Sequence, residues 1–147
     1  MPQTSAAMPD DSDTVHLFPR EQPTAKDYFV ARDGVLYAGT HLLVDLWGAR
    51  CLDDPAAIDH TLRACAAAAG ATVLGGDFHR FEPNGVSGML LLAESHISIH
   101  TWPERGFAAL DLFMCGACNP YAGIEELKRT FKPRQITLTE HKRGMIP

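Results

Sequence analysis

The stretch LLAESHISIHTWPE (residues 91–104) alternates apolar and polar side chains over its central part, a pattern typical of a half-buried β-strand. Ile97 and Ile99 would face a core. The opposite face would carry four polar or aromatic side chains: His96, Ser98, His100 and Trp102. A solvent-facing strand side explains Ser98, but it explains the large Trp102 ring poorly. A tryptophan beside two histidines indicates a pocket wall, where the ring can stack on a flat or cationic ligand.

The segments around this strand predict further strands and one hairpin. We expect strands at residues 41–47, 72–81, 87–93, 107–113 and 135–139. The turn Pro83-Asn84-Gly85 would join two of them, because Gly85 can adopt a positive φ. A basic tail, HKR at residues 141–143, would follow the last strand. Short strands that follow one another in this way are expected to pair antiparallel.

Two helices are predicted at either side of the strand run. The first covers residues 54–70, where Asp54 can cap the N-terminus, Pro55 fits the first position and Gly70 provides the left-handed stop. Its apolar stripe consists of Ile58, Leu62, Cys65 and Ala69. The second helix is predicted over residues 119–132. Because each stripe needs the same sheet to cover it, the predicted fold is α+β, a two-layer α/β sandwich with a mainly antiparallel sheet and helices on one face.

Length and charge limit the possible functions. A chain of 147 residues with 46% hydrophobic residues is enough for one domain with a sizeable core. A net charge of -5 gives no electrostatic reason to bind nucleic acid, and no apolar run is long enough for a membrane helix. We therefore expect a cytoplasmic protein with neither nucleic-acid nor membrane partners, whose cysteines stay reduced.

The N-terminal region differs from the rest in composition. It contains four prolines and an acidic cluster within residues 1–24, which cannot bury much apolar surface. We expect a flexible N-terminal extension over residues 1–35 and a single domain over residues 36–147.

Cys115 and Cys118 form a Cys-x-x-Cys motif between a predicted strand and a predicted helix, where a helix dipole can lower a thiol pKa. A thioredoxin-like role fits poorly, because the preceding strands look antiparallel rather than part of a βαβ unit. A zinc site needs about four ligands, and no second motif of this kind accompanies the first, although His96 and His100 could contribute. We predict no metal.

The pair Glu94-Ser95 suggests another chemistry. No Gly-x-Ser-x-Gly elbow surrounds Ser95, so a serine hydrolase is weakly supported. At a strained peptide bond, however, a serine hydroxyl can attack its own preceding carbonyl and convert the amide into an ester. Removal of the serine α-proton then breaks the ester by β-elimination and leaves a pyruvoyl group at the new N-terminus.

Several motifs together resemble the prokaryotic S-adenosylmethionine decarboxylases, over roughly residues 39–144. They are HLLVDLW, DFHRF, GVSG, ESHISIHTWPE, ALDLFMCG and EHKRG. The resemblance implies a self-processing enzyme that converts S-adenosylmethionine to its decarboxylated form, the aminopropyl donor for spermidine. It would act through a Schiff base with a pyruvoyl group derived from Ser95, with neither PLP nor a metal.

The resemblance also assigns the processing residues. Cleavage between Glu94 and Ser95 would give a β chain of residues 1–94 and an α chain of residues 95–147. Ser87 and His100 match the residues that assist this cleavage, His100 as the base for the α-proton. Cys115 matches the proton donor of the decarboxylation, which requires a thiol that stays protonated until that step.

For the substrate, the resemblance matches Glu104 to a carboxylate that binds the ribose hydroxyls. Phe81 and Trp102 are the candidates for stacking on adenine and for a cation–π contact with the sulfonium. For His79, Arg80 and His96, ordinary hydrogen-bonding roles in the fold are at least as plausible.

Two alternative functions remain open from the sequence. Relatives of this fold decarboxylate arginine or ornithine with the same pyruvoyl chemistry, and Glu104 would bind a guanidinium as readily as a ribose. A non-cleaving binding module is a more distant possibility. A separate hypothesis is that oxidation of Cys115 and Cys118 to a disulfide would inactivate the enzyme, because it removes the acid.

The resemblance further implies a homodimer of αβ protomers, with two sandwiches facing sheet to sheet in a four-layer αββα arrangement.

Overall fold

A computed structural model describes residues 28–146 of the chain. In chain order the strands and helices are β1 (Val30–Arg32), β2 (Val35–Tyr37), β3 (Gly39–Trp47), α1 (Pro55–Ala69), β4 (Val73–Arg80), β5 (Val86–Leu92), β6 (Ser95–Trp102), β7 (Phe107–Cys115), α2 (Ile124–Phe131) and β8 (Gln135–Arg143). Short 3-10 helices at Pro103–Arg105 and Pro120–Gly123 precede β7 and α2.

Six strands form one sheet in the order β4-β5-β6-β7-β3-β8, and every neighbouring pair is antiparallel. The predicted hairpin of β4 and β5 is present, and β5, β6 and β7 follow as a meander. β3 comes early in the chain but lies between β7 and β8 in the sheet. The last two strands of the chain, β7 and β8, are therefore not neighbours. The predicted sandwich with a mainly antiparallel sheet is confirmed.

Both helices cover the same face of the sheet, as predicted. The carboxylate of Asp54 accepts from the backbone N–H groups of Ala56 and Ala57, and Gly70 ends α1 at a φ of +80°. The predicted stripe of α1 is buried: Ile58, Leu62, Cys65 and Ala69. These side chains pack on the alternate residues of the strands that point toward them, among them Ile97 and Ile99, whose exposed fraction is 0%. Alternation in residues 91–104 therefore predicted the core side correctly.

The structure differs from the prediction at both ends of the domain. β8 runs through residues 141–143, which were predicted as a basic tail, because they pair with Gly39–His41 at the start of β3. At the other end, β1 and β2 pair with each other, and β1 together with Val35, the first residue of β2, lies inside the segment of residues 1–35 that was predicted as a flexible extension. Residues 1–27 of that predicted extension lie outside the described residues.

The second face of the sheet has no helix over it in the described chain. It carries large apolar side chains that stay exposed: Leu43, Trp47, Met89, Leu91 and Trp102. We call this the open face. Between these side chains lie the polar residues of β6 and β7, so the open face holds both exposed apolar area and most of the candidate chemistry. Among the described residues, no helix is both long and apolar enough to cross a membrane.

Candidate active site

The Glu94–Ser95 peptide bond lies at a tight hairpin turn. β5 ends at Leu92 and β6 begins at Ser95, so only Ala93 and Glu94 connect the two strands. Ser95 has a φ of +141°, a conformation that a residue with a side chain rarely adopts. Such backbone costs on the order of 1–3 kcal/mol and persists only where its surroundings enforce it. The residue that follows the bond predicted to break therefore has a strained backbone conformation.

Two hydrogen bonds hold Glu94 in this turn. Its carbonyl oxygen accepts from the backbone N–H of Cys115 at 2.9 Å, because β7 runs beside β6. Its carboxylate accepts from the backbone N–H of Thr72 at 2.9 Å. An N–H aimed at the carbonyl next to Ser95 can stabilise negative charge that develops on that oxygen during nucleophilic attack. Sequence reasoning missed this role of the Cys115 backbone, since it depends on strand register.

The thiol of Cys115 is half-buried at the end of β7, beside the turn that contains the Glu94–Ser95 bond. Burial raises its pKa, and the negative charge of Glu94 adds to that effect against an opposing backbone hydrogen bond. The Cys118 thiol donates to the carbonyl of Gly70 at 3.5 Å, and burial followed by the charges of Glu94 and Cys115 raises its pKa too. Raised pKa values keep thiols protonated, which suits a proton donor better than a redox nucleophile.

A hydrogen-bonded cluster extends from Ser95 across the open face, and sequence reasoning gave no role to most of it. Ser95 Oγ lies 3.2 Å from His96 Nδ1, and His96 Nε2 lies 3.1 Å from Asp111 Oδ2. His41 Nε2 lies 2.7 Å from the same oxygen. Ser98 donates to the other carboxylate oxygen, and Arg143 donates to His41 Nδ1 at 3.0 Å. The polar strand face had indicated His96 and Ser98, and a further signal was Asp111, a charged residue within an otherwise apolar strand.

Asp111 is the centre of this cluster. Burial alone would raise the pKa of its carboxyl group, but hydrogen bonds from Ser98, His41 and His96 outweigh burial, and the net pKa is lowered. The group is therefore an ionised acceptor at neutral pH. Ligand atoms of His41, His96 and Asp111 lie within 4.8 Å of one another, close enough to bind a metal ion. The hydrogen bonds nevertheless require protons on both Nε2 atoms, where a metal would need lone pairs.

A second group of predicted residues surrounds a cavity of about 530 Å³. Five of the nine residues that line it were predicted from the sequence: Phe81, Ser87, His100, Trp102 and Glu104. Ser87 and His100 are cross-strand partners, and Ser87 Oγ lies 2.8 Å from His100 Nδ1. A cavity of this size suits a nucleoside-sized ligand.

The walls of the cavity carry the three side chains for which substrate-binding roles were predicted, Phe81, Trp102 and Glu104. The Trp102 ring is 42% exposed and stacks on Phe107, with 5.2 Å between ring centroids. The Phe81 ring is 47% exposed and meets the His79 ring edge to face. Glu104, in the 3-10 turn, forms no ion pair with any described residue. Two partly exposed aromatic rings, Phe81 and Trp102, and the Glu104 carboxylate thus line the same cavity.

The two groups lie apart within one chain. Ser95 begins β6, and His100 stands five residues further along the same strand, which at about 3.3 Å per residue separates their Cα atoms by about 16 Å. We call the group of Glu94, Ser95 and Cys115 the cleavage site. A base at His100 cannot reach the cleavage site of its own chain without a large rearrangement of the sheet.

Comparisons with known proteins agree on one family. A model of the family "S-adenosylmethionine decarboxylase" matches residues 40–144. The S-adenosylmethionine decarboxylase proenzyme of Thermomicrobium roseum is 44% identical over 110 residues, covering 74% of this chain and 95% of that protein. The proenzyme of Methanococcus maripaludis is 44% identical over 111 residues, covering 74% and 91%. The crystal structure of the adenosylmethionine decarboxylase from Aquifex aeolicus superimposes with a TM-score of 0.69 at 34% identity, covering 76% of this chain and 94% of that one.

Proposed function

The chain belongs to the S-adenosylmethionine decarboxylase family, and we propose that it is a proenzyme that cuts itself between Glu94 and Ser95 and then decarboxylates S-adenosylmethionine. One observation carries the proposal: Ser95 has strained backbone at the turn where its preceding carbonyl accepts a hydrogen bond from Cys115. The strain raises the energy of the uncut chain at this turn, and the N–H would stabilise the charge that attack creates.

The first step is an acyl shift within the chain. Ser95 Oγ loses its proton and attacks the Glu94 carbonyl carbon, the C–N bond between the two residues breaks, and the freed nitrogen takes up a proton. The amide becomes an ester with no net change in protons or electrons. During attack the Cys115 N–H stabilises the carbonyl oxygen, as an oxyanion hole does.

The second step is β-elimination. A base removes the α-proton of Ser95, the Cβ–Oγ bond breaks, and Glu94 leaves as a carboxylate at the end of the β chain. The dehydroalanine that remains tautomerises to an imine, and water hydrolyses the imine, releasing ammonia and leaving a pyruvoyl group at residue 95. We assign the base to His100, which Ser87 holds through a 2.8 Å hydrogen bond.

Because His100 lies far from Ser95 in its own chain, we propose that His100 of the partner subunit supplies the base. A homodimer with the two open faces together would give four layers, helix, sheet, sheet and helix. It would cover the exposed apolar side chains of the open face, which are unusual on a free surface. Each cleavage site would then face the cavity of the other subunit.

Once formed at residue 95, a pyruvoyl group would supply a carbonyl for covalent binding of the substrate amine and an electron sink for the loss of carbon dioxide. Cys115, kept protonated by its raised pKa, donates a proton to the substrate Cα. In the cavity, the Glu104 carboxylate would accept hydrogen bonds from the ribose hydroxyls. Phe81 and Trp102 would stack on adenine or contact the sulfonium. A reduced thiol at Cys115 fits the proposed cytoplasmic location.

The proposal is tested by carbon dioxide release from carboxyl-labelled S-adenosylmethionine, with arginine and ornithine as competing substrates. We expect release from S-adenosylmethionine alone, and none from the Ser95→Ala variant, which lacks the hydroxyl that starts processing. Release from arginine or ornithine, but not from S-adenosylmethionine, would reassign the substrate. No release from any of the three would leave only a binding role.

A further inference from the structure

The hydrogen-bonded cluster beside Ser95 has no part in the steps described so far. His96, Asp111 and His41 lie on the open face, and their side chains are 33%, 21% and 15% exposed. Half-buried polar groups on a sheet face need hydrogen-bond partners to offset their desolvation, and these three side chains provide partners for each other. The cluster nevertheless ends at a serine hydroxyl rather than at solvent, which is the arrangement expected of a proton relay.

The hydrogen bonds fix the positions of the ring protons. Arg143 is always a donor, so His41 Nδ1 must be the acceptor and His41 Nε2 must carry the proton that it donates to Asp111. Asp111 accepts at the same oxygen from His96 Nε2, so His96 carries its proton there. In neutral His96, Nδ1 is then the acceptor, and it lies 3.2 Å from Ser95 Oγ.

The backbone of Ser95 makes this contact possible. Strict alternation along β6 would place Ser95 and His96 on opposite faces of the sheet. The φ of +141° departs from strand geometry and brings the Ser95 hydroxyl to the ring of the following residue. The same strained conformation of Ser95 therefore presents the hydroxyl to a base.

We propose that His96 is the base that takes the Ser95 hydroxyl proton in the acyl shift, with Asp111 as the residue that positions it; this rests on the self-cleavage proposed above. The Oγ–H bond breaks as Nδ1 gains the proton, and Oγ bonds to the Glu94 carbonyl carbon. When the C–N bond breaks, the same proton passes to the leaving nitrogen, so His96 ends as it began. Asp111 holds the ring in the required tautomer and stabilises the transient imidazolium.

Two bases then divide the processing between them. His96 contacts the hydroxyl of its own chain and acts on the oxygen, whereas His100 of the partner subunit acts later on the α-carbon. This division predicts that loss of His96 blocks ester formation, and that loss of His100 allows the ester to accumulate.

The first test measures cleavage of purified full-length precursor by gel. We expect His96→Ala to slow cleavage about 100-fold or more, the usual contribution of a general base. Added imidazole should partly restore the rate, because a small base can occupy the space left by the ring, and a merely structural defect would not respond. His60→Ala, an exposed histidine on α1, is the matched control and should cleave at the wild-type rate.

The second test separates the two steps in a His100→Ala precursor. Hydroxylamine cuts esters but not amides, so it should cut this chain at residue 94, and adding His96→Ala should abolish that cut. Equal hydroxylamine cleavage with and without His96, or wild-type cleavage by His96→Ala, would overturn the inference while leaving self-cleavage intact. A wild-type chain that never cleaves would overturn the proposed function and this inference with it.

The third test concerns Asp111 as a positioning residue. Asp111→Asn should slow cleavage in the wild-type background, yet add little to the His96→Ala defect, because it acts through His96. Additive effects of the two substitutions would contradict that role. Cleavage that stops with a chelating agent and returns with a divalent cation would also overturn the inference, since His41, His96 and Asp111 would then be metal ligands.

Discussion

At the scale of single residues, chemistry and backbone conformation meet at Ser95. The role of its hydroxyl was predicted from the sequence, because Glu94 and Ser95 are adjacent in the chain and belong to one short motif. The contacts that activate it were not predicted, since they join residues far apart in the chain, such as His41 and Asp111. Strand register decides such contacts, and a single sequence does not reveal register between non-consecutive strands.

The two roles proposed for Cys115 are separable, which predicts a specific phenotype for Cys115→Ala. The substitution keeps the backbone N–H that contacts the Glu94 carbonyl but removes the thiol, so cleavage should continue while turnover falls. A general acid is worth about 100-fold to 10,000-fold in rate. Cleavage is followed by gel and turnover by carbon dioxide release, with Cys51→Ala, an exposed cysteine outside the site, as control. Full turnover without any transamination product would contradict the assignment.

The raised pKa of Cys115 predicts its reactivity toward iodoacetamide. Only the thiolate is alkylated, and a raised pKa means that the thiol stays protonated to higher pH than an ordinary cysteine with a pKa of 9.0. At pH 8 we expect Cys115 to react more slowly than the exposed Cys51 in the same chain. The difference should shrink as the pH rises above 9. Peptide mass spectrometry gives both rates, and faster alkylation of Cys115 at pH 8 would show a lowered pKa instead.

At the scale of elements, local sequence signals predicted which helices and strands form better than they predicted where each one ends. The cap at Asp54 and the stop at Gly70 defined α1 because both act through neighbouring backbone. β8 runs four residues beyond its predicted end, because its partner β3 supplies hydrogen bonds that the composition of residues 141–143 does not suggest. The β1–β2 pair was not predicted, because strands of three residues are too short to show a periodic pattern.

Removal of the helix cap should cost stability without affecting the chemistry. Asp54 accepts hydrogen bonds from two orphan N–H groups of α1, and its loss typically costs about 1 kcal/mol. Asp54→Ala should therefore lower the free energy of unfolding, measured with denaturant, while cleavage proceeds normally. Asp59→Ala is the matched control: it removes an exposed ion pair with Arg63, worth about 0.3–0.5 kcal/mol. Equal losses for the two variants would contradict the capping role.

At the scale of the whole molecule, one chain contains all the predicted site residues but not one assembled site. The sequence predicted which residues belong together, and composition gave no hint that the sheet keeps the cleavage site and the cavity apart. In the proposed dimer a second copy would lie against the open face, and His100 of the partner subunit would then act on Ser95.

Mixed dimers provide a direct test of this arrangement. A Ser95→Ala chain keeps His100 but cannot be cut, and a His100→Ala chain keeps Ser95 but lacks the base. When the two are co-expressed, we expect cleavage of the His100→Ala chain, although neither chain is cleaved when expressed alone. Distinct affinity tags identify the cut chain by mass. If co-expression leaves both chains intact, His100 does not act between subunits.

The central claim is that Ser95 becomes the first residue of a new chain and carries a keto group. Intact-mass analysis of the purified wild-type protein tests it most directly. We predict two chains, residues 1–94 with a free carboxylate and residues 95–147 with a pyruvoyl N-terminus, and a single uncut chain for Ser95→Ala. A wild-type protein that remains one chain of 147 residues, with no keto group, would contradict the account.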